Sequence, residues 1–301
     1  MTKSFSYAVI GILFASQFLS VDSGIAAQDS KPAPAKSLNG QSEYEEAIQG
    51  LKNGGTTDIK RVFDLLTVAS MKKHPDAIGA LGYLYANGIY VEKNDPKARS
   101  YFQEAVDLGS KDSRLNLGLF LVHGKGGAMD IKKGLSMLQE MTLEGHTQAA
   151  LALGQLHYTG DHSENNEPDY AQAYTVLLAP AETGNPTAQN FIGVILRDGR
   201  IGPKDTDSAQ IWFEKAAWQG NPKACTNLAD LWNYQSDERK CRVEALRWMI
   251  VADQLGEIVS RYHFADIRPL LAKDEEATAK KLAEETIENI KKCEQSIKAG
   301  H

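Results

Sequence analysis

One feature limits what this chain can become: it repeats. Small residues recur at Ala77, Ser113, Ala149, Ala188, Ala224 and Ser260, in steps of 36, 36, 39, 36 and 36 residues. Four positions after each of these markers stands an apolar residue (Leu81, Leu117, Leu153, Ile192, Leu228, Phe264). One further on stands a small one (Gly82, Gly118, Gly154, Gly193, Ala229, Ala265). A glycine precedes the marker by four positions in five units: Gly109, Gly145, Gly184, Gly220 and Gly256. A fixed period of this size marks an array in which each unit buries its apolar face only against its neighbours.

Each unit reads as two helices. Helix A starts near the marker and carries apolar residues three and four apart, as in Leu81, Leu84 and Tyr85. A glycine-bearing loop follows, such as Asn87-Gly88 or Asp198-Gly199. Helix B begins at Asp58, Asn94, Asp130, Asp169 and Asp205, whose side chains suit the helix N-cap. The glycine at the unit's end fits a left-handed C-cap, and Asn221-Pro222 reads as a stop signal. Small residues pair between the helices: Gly82 with Ala98, Gly118 with Gly134, Gly154 with Ala173, Gly193 with Ala209, Ala229 with Ala245. Close approach of A to B would offset the cost of mid-helix glycine, about 1 kcal/mol.

The period fades at both ends. Tyr44, Ile48, Gly55, Asp58, Val62 and Ala69 form a degenerate first unit. After a partial unit from Ser260, Lys273-Asp274-Glu275-Glu276 opens a charged helix with apolar Leu282, Ile287, Ile290 and Ile297. An array has exposed ends, so this helix (274–298) reads as the C-terminal cap. The expectation is an all-α, α/α solenoid of about six hairpins over residues 41–301, with units starting near 44, 77, 113, 149, 188 and 224.

Residues 1–27 read as a signal peptide: Lys3, an apolar run from Phe5 to Leu19, then small residues to Ala27. That run is short for a membrane span, so no stable span is expected after cleavage, and the mature chain is expected to be periplasmic or secreted. Residues 28–40 read as a disordered Pro/Ala/Lys linker. Lys and Arg number 33 against 39 Asp and Glu, with no basic stripe, which argues against a nucleic-acid partner.

The pattern Ala77-x-x-x-Leu81-Gly82-x-x-Tyr85-x-x-Gly88, with Asp205-x-x-x-Ala209-x-x-Trp212-x-x-Lys215-Ala216-Ala217-x-x-Gly220-Asn221, resembles the Sel-1-like repeats, relatives of tetratricopeptide repeats. The resemblance covers about residues 41–272. It implies an α/α solenoid acting as adaptor or scaffold. In exported bacterial members it implies an envelope regulator, a secretion or polysaccharide accessory protein, or a host-interaction factor. Cysteine-rich members linked to β-lactam binding or cleavage have a cysteine pattern that Cys225, Cys241 and Cys293 do not reproduce.

Nothing in the chain spells a catalytic motif. G-x-S-x-G, H-E-x-x-H, the P-loop, G-x-G-x-x-G and C-x-x-C do not occur in the mature chain. Gly124-Lys125-Gly126-Gly127 lacks the following Lys-Ser/Thr of a phosphate loop and reads as a turn. His157 and His162 with Asp161, Glu164 and Glu167 read as a packing histidine beside an acidic loop. Cys225 and Cys241 fall at distant ends of a hairpin, too far apart for a disulfide. Cys241 sits in the helix B capping slot. No catalytic residue, metal site or cofactor is therefore expected.

The expected job is protein binding. Helix A positions outside the packing slots vary between units: Tyr83, Leu119, Gln155, Val194 and Asp230 at one, Ala80, Asn116, Ala152, Phe191 and Asn227 at another. Tyr83, Asn116, Gln155, Phe191, Asn227 and Asp230 are the expected partner-binding residues. The partner is expected to be an envelope or host protein. A periplasmic regulator of a signalling receptor is the variant reading, and a cell-wall or β-lactam hydrolase the least supported.

Overall fold

The computed structural model describes residues 39–52, 59–161, 165–235, 239–257 and 272–298. Among the described residues there are thirteen helices and no strand. They are α1 (Gln41–Lys52), α2 (Ile59–Met71), α3 (Pro75–Asn87), α4 (Asp95–Asp107), α5 (Lys111–Val122), α6 (Ile131–Leu143), α7 (Thr147–Thr159), α8 (Tyr170–Glu182), α9 (Pro186–Arg197), α10 (Thr206–Ala217), α11 (Pro222–Gln235), α12 (Arg239–Gln254) and α13 (Lys273–Lys298). Odd-numbered helices up to α11 are the A helices and even-numbered ones the B helices. Two compact units emerge, one through Ala152 together with Asp161, the other from Leu153 onward. Within each, hairpins of the α/α-solenoid class stack in chain order. The signal peptide, residues 28–38, Gly55, Asp58, His162, Glu164, Ser260, Phe264 and Ala265 lie outside the described residues.

Within a hairpin, the loop is closed by one recurring pair of bonds. The N–H of Asn94, Asp130, Asp169 and Asp205 donates back to helix A, at Tyr85 O (2.9 Å), Leu121 O (2.9 Å), His157 O (2.8 Å) and Leu196 O (3.0 Å). The same four side chains then accept from the third N–H of helix B, at Lys97, Lys133, Gln172 and Ser208 (2.9, 3.0, 2.9 and 2.9 Å). Donation by the Ser208 backbone holds the Asp205 carboxyl below its ordinary value. The capping role predicted for these residues is therefore met. Cys241 is different: α12 already starts at Arg239, and Cys241 is a buried residue inside its first turn rather than a cap. The Gly124–Gly127 tract is the α5–α6 turn. A side chain at Gly126 (φ 71°) would sit 2.3 Å from the Asp95 carbonyl oxygen.

Between hairpins, a single residue does two jobs. His74, Ser110, His146, Asn185 and Asn221 each follow the left-handed residue that ends helix B. Each donates its N–H to the last turn of that helix, at Ala69, Ala105, Met141, Pro180 and Ala216 O (3.1, 2.9, 2.9, 2.9 and 3.1 Å). This is the Schellman closure. Each side chain also caps the next A helix, accepting from Ala77, Ser113, Ala149, Ala188 and Ala224 N (3.3, 3.3, 3.3, 3.0 and 3.0 Å). The acceptors' donors are the repeat markers themselves. Asn221 thus begins a helix as well as ending one.

The left-handed position is glycine at Gly109, Gly145, Gly184, Gly220 and Gly256, with φ from 79° to 101°. In the first repeat it is Lys73, at φ 60°. A side chain in that region costs about 1–2 kcal/mol.

The helix-A glycines do not mainly bring backbones together, as the small-residue pairing suggested. They make room for the large residue four positions beyond the small partner. A Cβ at Gly82 would lie 2.9 Å from the Phe102 ring, one at Gly154 2.4 Å from Leu177, and one at Gly193 2.6 Å from Phe213. Phe102, Leu177 and Phe213 are fully buried. Only Gly118 and Gly134 meet backbone to backbone: a Cβ on Gly134 would lie 2.6 Å from the Gly118 carbonyl oxygen.

The ends are held by polar ties. Asn39 and Gly40, expected in the linker, instead start the first hairpin: Gly40 (φ 80°) leaves no room for a Cβ against Ala69, and its carbonyl accepts from Tyr44 N at 3.1 Å. At the other end α13 packs Ala279, Ala283, Ile287 and Ile290 with the α12 core. Glu275 accepts from Ala272 N (2.9 Å) and Arg242 (2.8 Å), and these bonds hold its carboxyl below the usual value.

Two predictions follow from the caps. Lys73→Gly relieves the left-handed strain and loses only an exposed ion pair with Glu104, so urea unfolding should show a gain of about 0.5–1 kcal/mol; Gly109→Lys should lose about 1–2 kcal/mol. His74 caps α3 by accepting at Nδ1, donates from Nε2 to Gln41 Oε1 (2.8 Å), and stacks on Tyr44 at 4.5 Å. Burial lowers its pKa, against the opposing charges of Asp76 and Glu45. A depressed histidine contributes full stability above about pH 6.5 and loses it as pH falls, because the unfolded chain then binds the proton first. The Tm should fall between pH 7.5 and pH 5, and His74→Asn, the cap used by two later repeats, should flatten that slope while lowering stability at pH 7.5.

Candidate partner-binding face

The six expected partner-binding residues do not share one environment. In the first unit Tyr83 is only 8% exposed and packs in the cluster of Phe102, Leu117, Phe120 and Leu121. It was expected to face solvent, and Ala80 is likewise buried. Burial raises the Tyr83 hydroxyl pKa. With half-buried Asn116, Tyr83 lines a cleft shared with Tyr44, Asp76 and Ser113 whose volume is about 20 Å³. That admits a single water and no peptide side chain. Ser110 Oγ already donates to Asp76 there at 2.7 Å.

In the second unit the helix A face is open and organised. Gln155 is exposed; Phe191, Asn227 and Asp230 are half-buried. One rule orders the contacts. The ninth residue after a marker touches the third residue after the next. Tyr158 of α7 meets Phe191 of α9 edge to face at 5.3 Å. Arg197 of α9 meets Asn227 of α11, with Nη1 donating to Oδ1 at 2.8 Å. The result is an aromatic step followed by a guanidinium step on successive A helices.

Both steps are braced. Asn227 Nδ2 donates to Asn190 Oδ1 at 2.8 Å, and Asn190 is buried. Arg197 Nε donates to Asp198 at 2.8 Å, and its guanidinium lies 5.9 Å from the Phe213 ring centre. Tyr158 meets Tyr170 at 5.4 Å, and Arg200 lies over the Tyr170 ring at 5.0 Å. Burial, then the Asp198 charge, raises the Tyr158 hydroxyl pKa. Sequence reasoning missed Tyr158, Asn190, Arg197 and Arg200. The ninth-after-marker slot was visible in the repeat, but its pairing with the third-after slot appears only once the helices are in register.

The chemistry elsewhere is sparse. Cys225 and Cys241 are buried and Cys293 exposed, all as free thiols, and burial pushes the Cys225 thiol up to about 12. His157 is half-buried, its carbonyl held by the helix B cap. Among the described residues no three His, Cys, Asp or Glu side chains gather as a metal site, and no helix is long and apolar enough to cross a membrane.

The profile of the Sel1 repeat matches residues 75–110, 147–174 and 186–221. Those three segments of the chain are Sel1 repeats. These repeats generally serve as protein-interaction scaffolds. Solved Sel1-repeat structures share the fold. A protective antigen of uropathogenic Escherichia coli with an SLR fold has a TM-score of 0.59 at 22% identity, over 83% of this chain and 53% of that one. A Sel1 repeat protein from Oxalobacter formigenes has a TM-score of 0.59 at 22% identity, over 80% and 96%. Among curated proteins, DAP3-binding cell death enhancer 1 of Mus musculus is 27% identical over 249 residues, 70% of this chain and 46% of that protein. Chitin synthase regulator SKT5 of Malassezia restricta is 25% identical over 200 residues, 65% of this chain and 13% of that protein. The chain thus spans less than half the length of these curated relatives.

The Asn190–Asn227–Arg197 ladder generates a direct test. Asn227→Ala leaves a buried amide oxygen and a guanidinium short of a partner, at a cost of about 1–3 kcal/mol. A double-mutant cycle of Asn190→Ala with Asn227→Ala should give a coupling above about 0.5 kcal/mol by urea unfolding. Additive effects would mean that the ladder is not a coupled unit.

Proposed function

We propose that this chain is a non-enzymatic protein-interaction scaffold of the bacterial envelope, exported by residues 1–27, and that it holds its partner on the helix A face of the second unit. One observation carries the reading: Tyr158–Phe191 and Arg197–Asn227 form a braced, partly exposed row across α7, α9 and α11. Side chains fixed by neighbours lose little entropy on binding, which is what a recognition surface needs. In the first unit Ala80, the third residue after its marker, is packed into the core, and so is Tyr83 on the same helix. The names of the relatives fit: one binds another protein, and the other regulates an enzyme.

Site-specific photo-crosslinking in the native cell tests the reading. A benzophenone side chain at Gln155 or Asp230 should give polypeptide adducts, and one at Ile211, exposed on the B helix α10, should not. Equal labelling at all three positions, or none at the first two, would sink the helix A assignment. The identity of the adducts separates an envelope partner from a host one. N-terminal sequencing of the mature chain, expected to start at Ala27 or Gln28, checks export. Turnover of a cell-wall substrate by the purified chain, abolished by one substitution, would overturn the non-enzymatic part.

A further inference from the structure

We infer that the loop edge of the first unit, where α4 and α6 begin, docks on an anionic lipid surface. The inference goes beyond the scaffold reading and does not rest on it, since that reading concerns the second unit. The third residue of every B helix in the first unit is a cation: Arg61 of α2, Lys97 of α4 and Lys133 of α6, in steps of 36 residues. In the second unit the same slot holds neutral Gln172 of α8 and Ser208 of α10. The first turn of a helix carries the positive end of its dipole and favours carboxylates. Three cations in that slot, one per repeat, stand against the local field.

The two loops form one surface. The α5–α6 loop lies on the start of α4: Arg99 Nη1 donates to the Ala128 carbonyl at 2.7 Å, and Gly126 leaves no room for a Cβ against Asp95 and Pro96. Lys93, Lys97, Arg99, Lys125, Lys132 and Lys133 belong to these loops and first turns, against Glu92, Asp95 and Asp130. Asp130 is engaged by the Lys133 backbone N–H at 3.0 Å, and Asp95 lies 3.5 Å from Lys93. Lys97 donates to the Tyr85 hydroxyl at 2.8 Å. Lys132 and Lys133 are exposed and have no ion-pair partner among the described residues. On a chain of net charge −6, this edge carries a local cationic excess.

Apolar side chains at both loops decide between a lipid surface and a dissolved polyanion. Met129 is 60% exposed and Tyr90 47% exposed. Tyr90 holds φ 66°, and the corresponding position of the next hairpin is Gly126 at 71°. A bulky side chain rarely adopts that conformation, yet here the chain keeps a ring, which leans on Phe63 at 5.3 Å. At a bilayer, tyrosine sits at the headgroup level, methionine enters the acyl boundary, and lysines reach the lipid phosphates. A dissolved polyanion would engage the cations and leave Met129 and Tyr90 in water.

The test is flotation of the mature chain with vesicles of phosphatidylcholine, with and without one-third phosphatidylglycerol. The chain should float with the anionic vesicles only, and should be released as salt is raised. Lys132→Gln/Lys133→Gln should lower the partition coefficient by about tenfold or more. Its Tm should equal or exceed that of the parent, because the change removes a conflict with the helix dipole. A nitroxide at Met129→Cys is placed in a Cys293→Ser background, which leaves only the buried thiols of Cys225 and Cys241. On binding, it should become shielded from aqueous nickel and open to oxygen. A nitroxide at Leu143→Cys, the 82% exposed far end of the same helix, should not. Binding to neither vesicle, equal binding to both, or a Met129 label that stays in water overturns the inference. So does binding that Tyr90→Ser/Met129→Ser leaves undiminished, which would mark recognition of charge alone. The crosslinks at Gln155 and Asp230 report on the second unit, so either reading can fail without the other.

Discussion

The structure depends on a hydrogen bond that is shared. At each junction between hairpins one residue closes the outgoing helix with its backbone and opens the incoming helix with its side chain. Helix ends leave four N–H and four C=O groups unsatisfied, and a stack of short helices multiplies that cost. Placing both solutions on His74, Ser110, His146, Asn185 or Asn221 keeps the turn to three or four residues and fixes its direction. The marker's smallness has the same source. It is the third residue of helix A, its N–H serves the cap, and its side chain is buried.

How far this was legible in the sequence depends on whether a feature repeats. Asp205 as a helix B cap and Gly220 as a left-handed end could be read because their chemistry is local and recurs at a fixed interval. The junction cap escaped because its identity drifts among His, Ser and Asn. Three chemistries satisfy the same donor, so no single letter marks the position. The role of Gly193 was read with the wrong partner: spacing points to Ala209, but the ring that fills the space belongs to Phe213, one turn on. Which residue faces which depends on side-chain direction along the helix, and spacing alone does not carry it.

The candidate site was the least legible part, for the opposite reason. Its residues are where the repeat stops repeating. Tyr83 and Asp230 hold the same slot, yet one is packed with Phe102 and Phe120 while the other lies on the face that carries Asn227. A variable slot can be surface in one unit and core in another. Only the contact between the ninth and third positions reveals that Phe191 and Asn227 belong to one ordered row. Arg200 lies in a loop, where no period could have singled it out.

The loop between α7 and α8 carries three extra residues, and its closing bond is nonetheless the same as in the other hairpins: Asp169 N–H reaches His157 O at 2.8 Å, as Asp205 reaches Leu196 at 3.0 Å. The count of residues slips there, and the geometry does not. Each hairpin is registered against its own first helix rather than against a running tally from the chain's beginning. A change of loop length is thus absorbed inside the hairpin where it occurs, and the next helix starts as if nothing had been added. Such a chain can vary its loops without renegotiating its core.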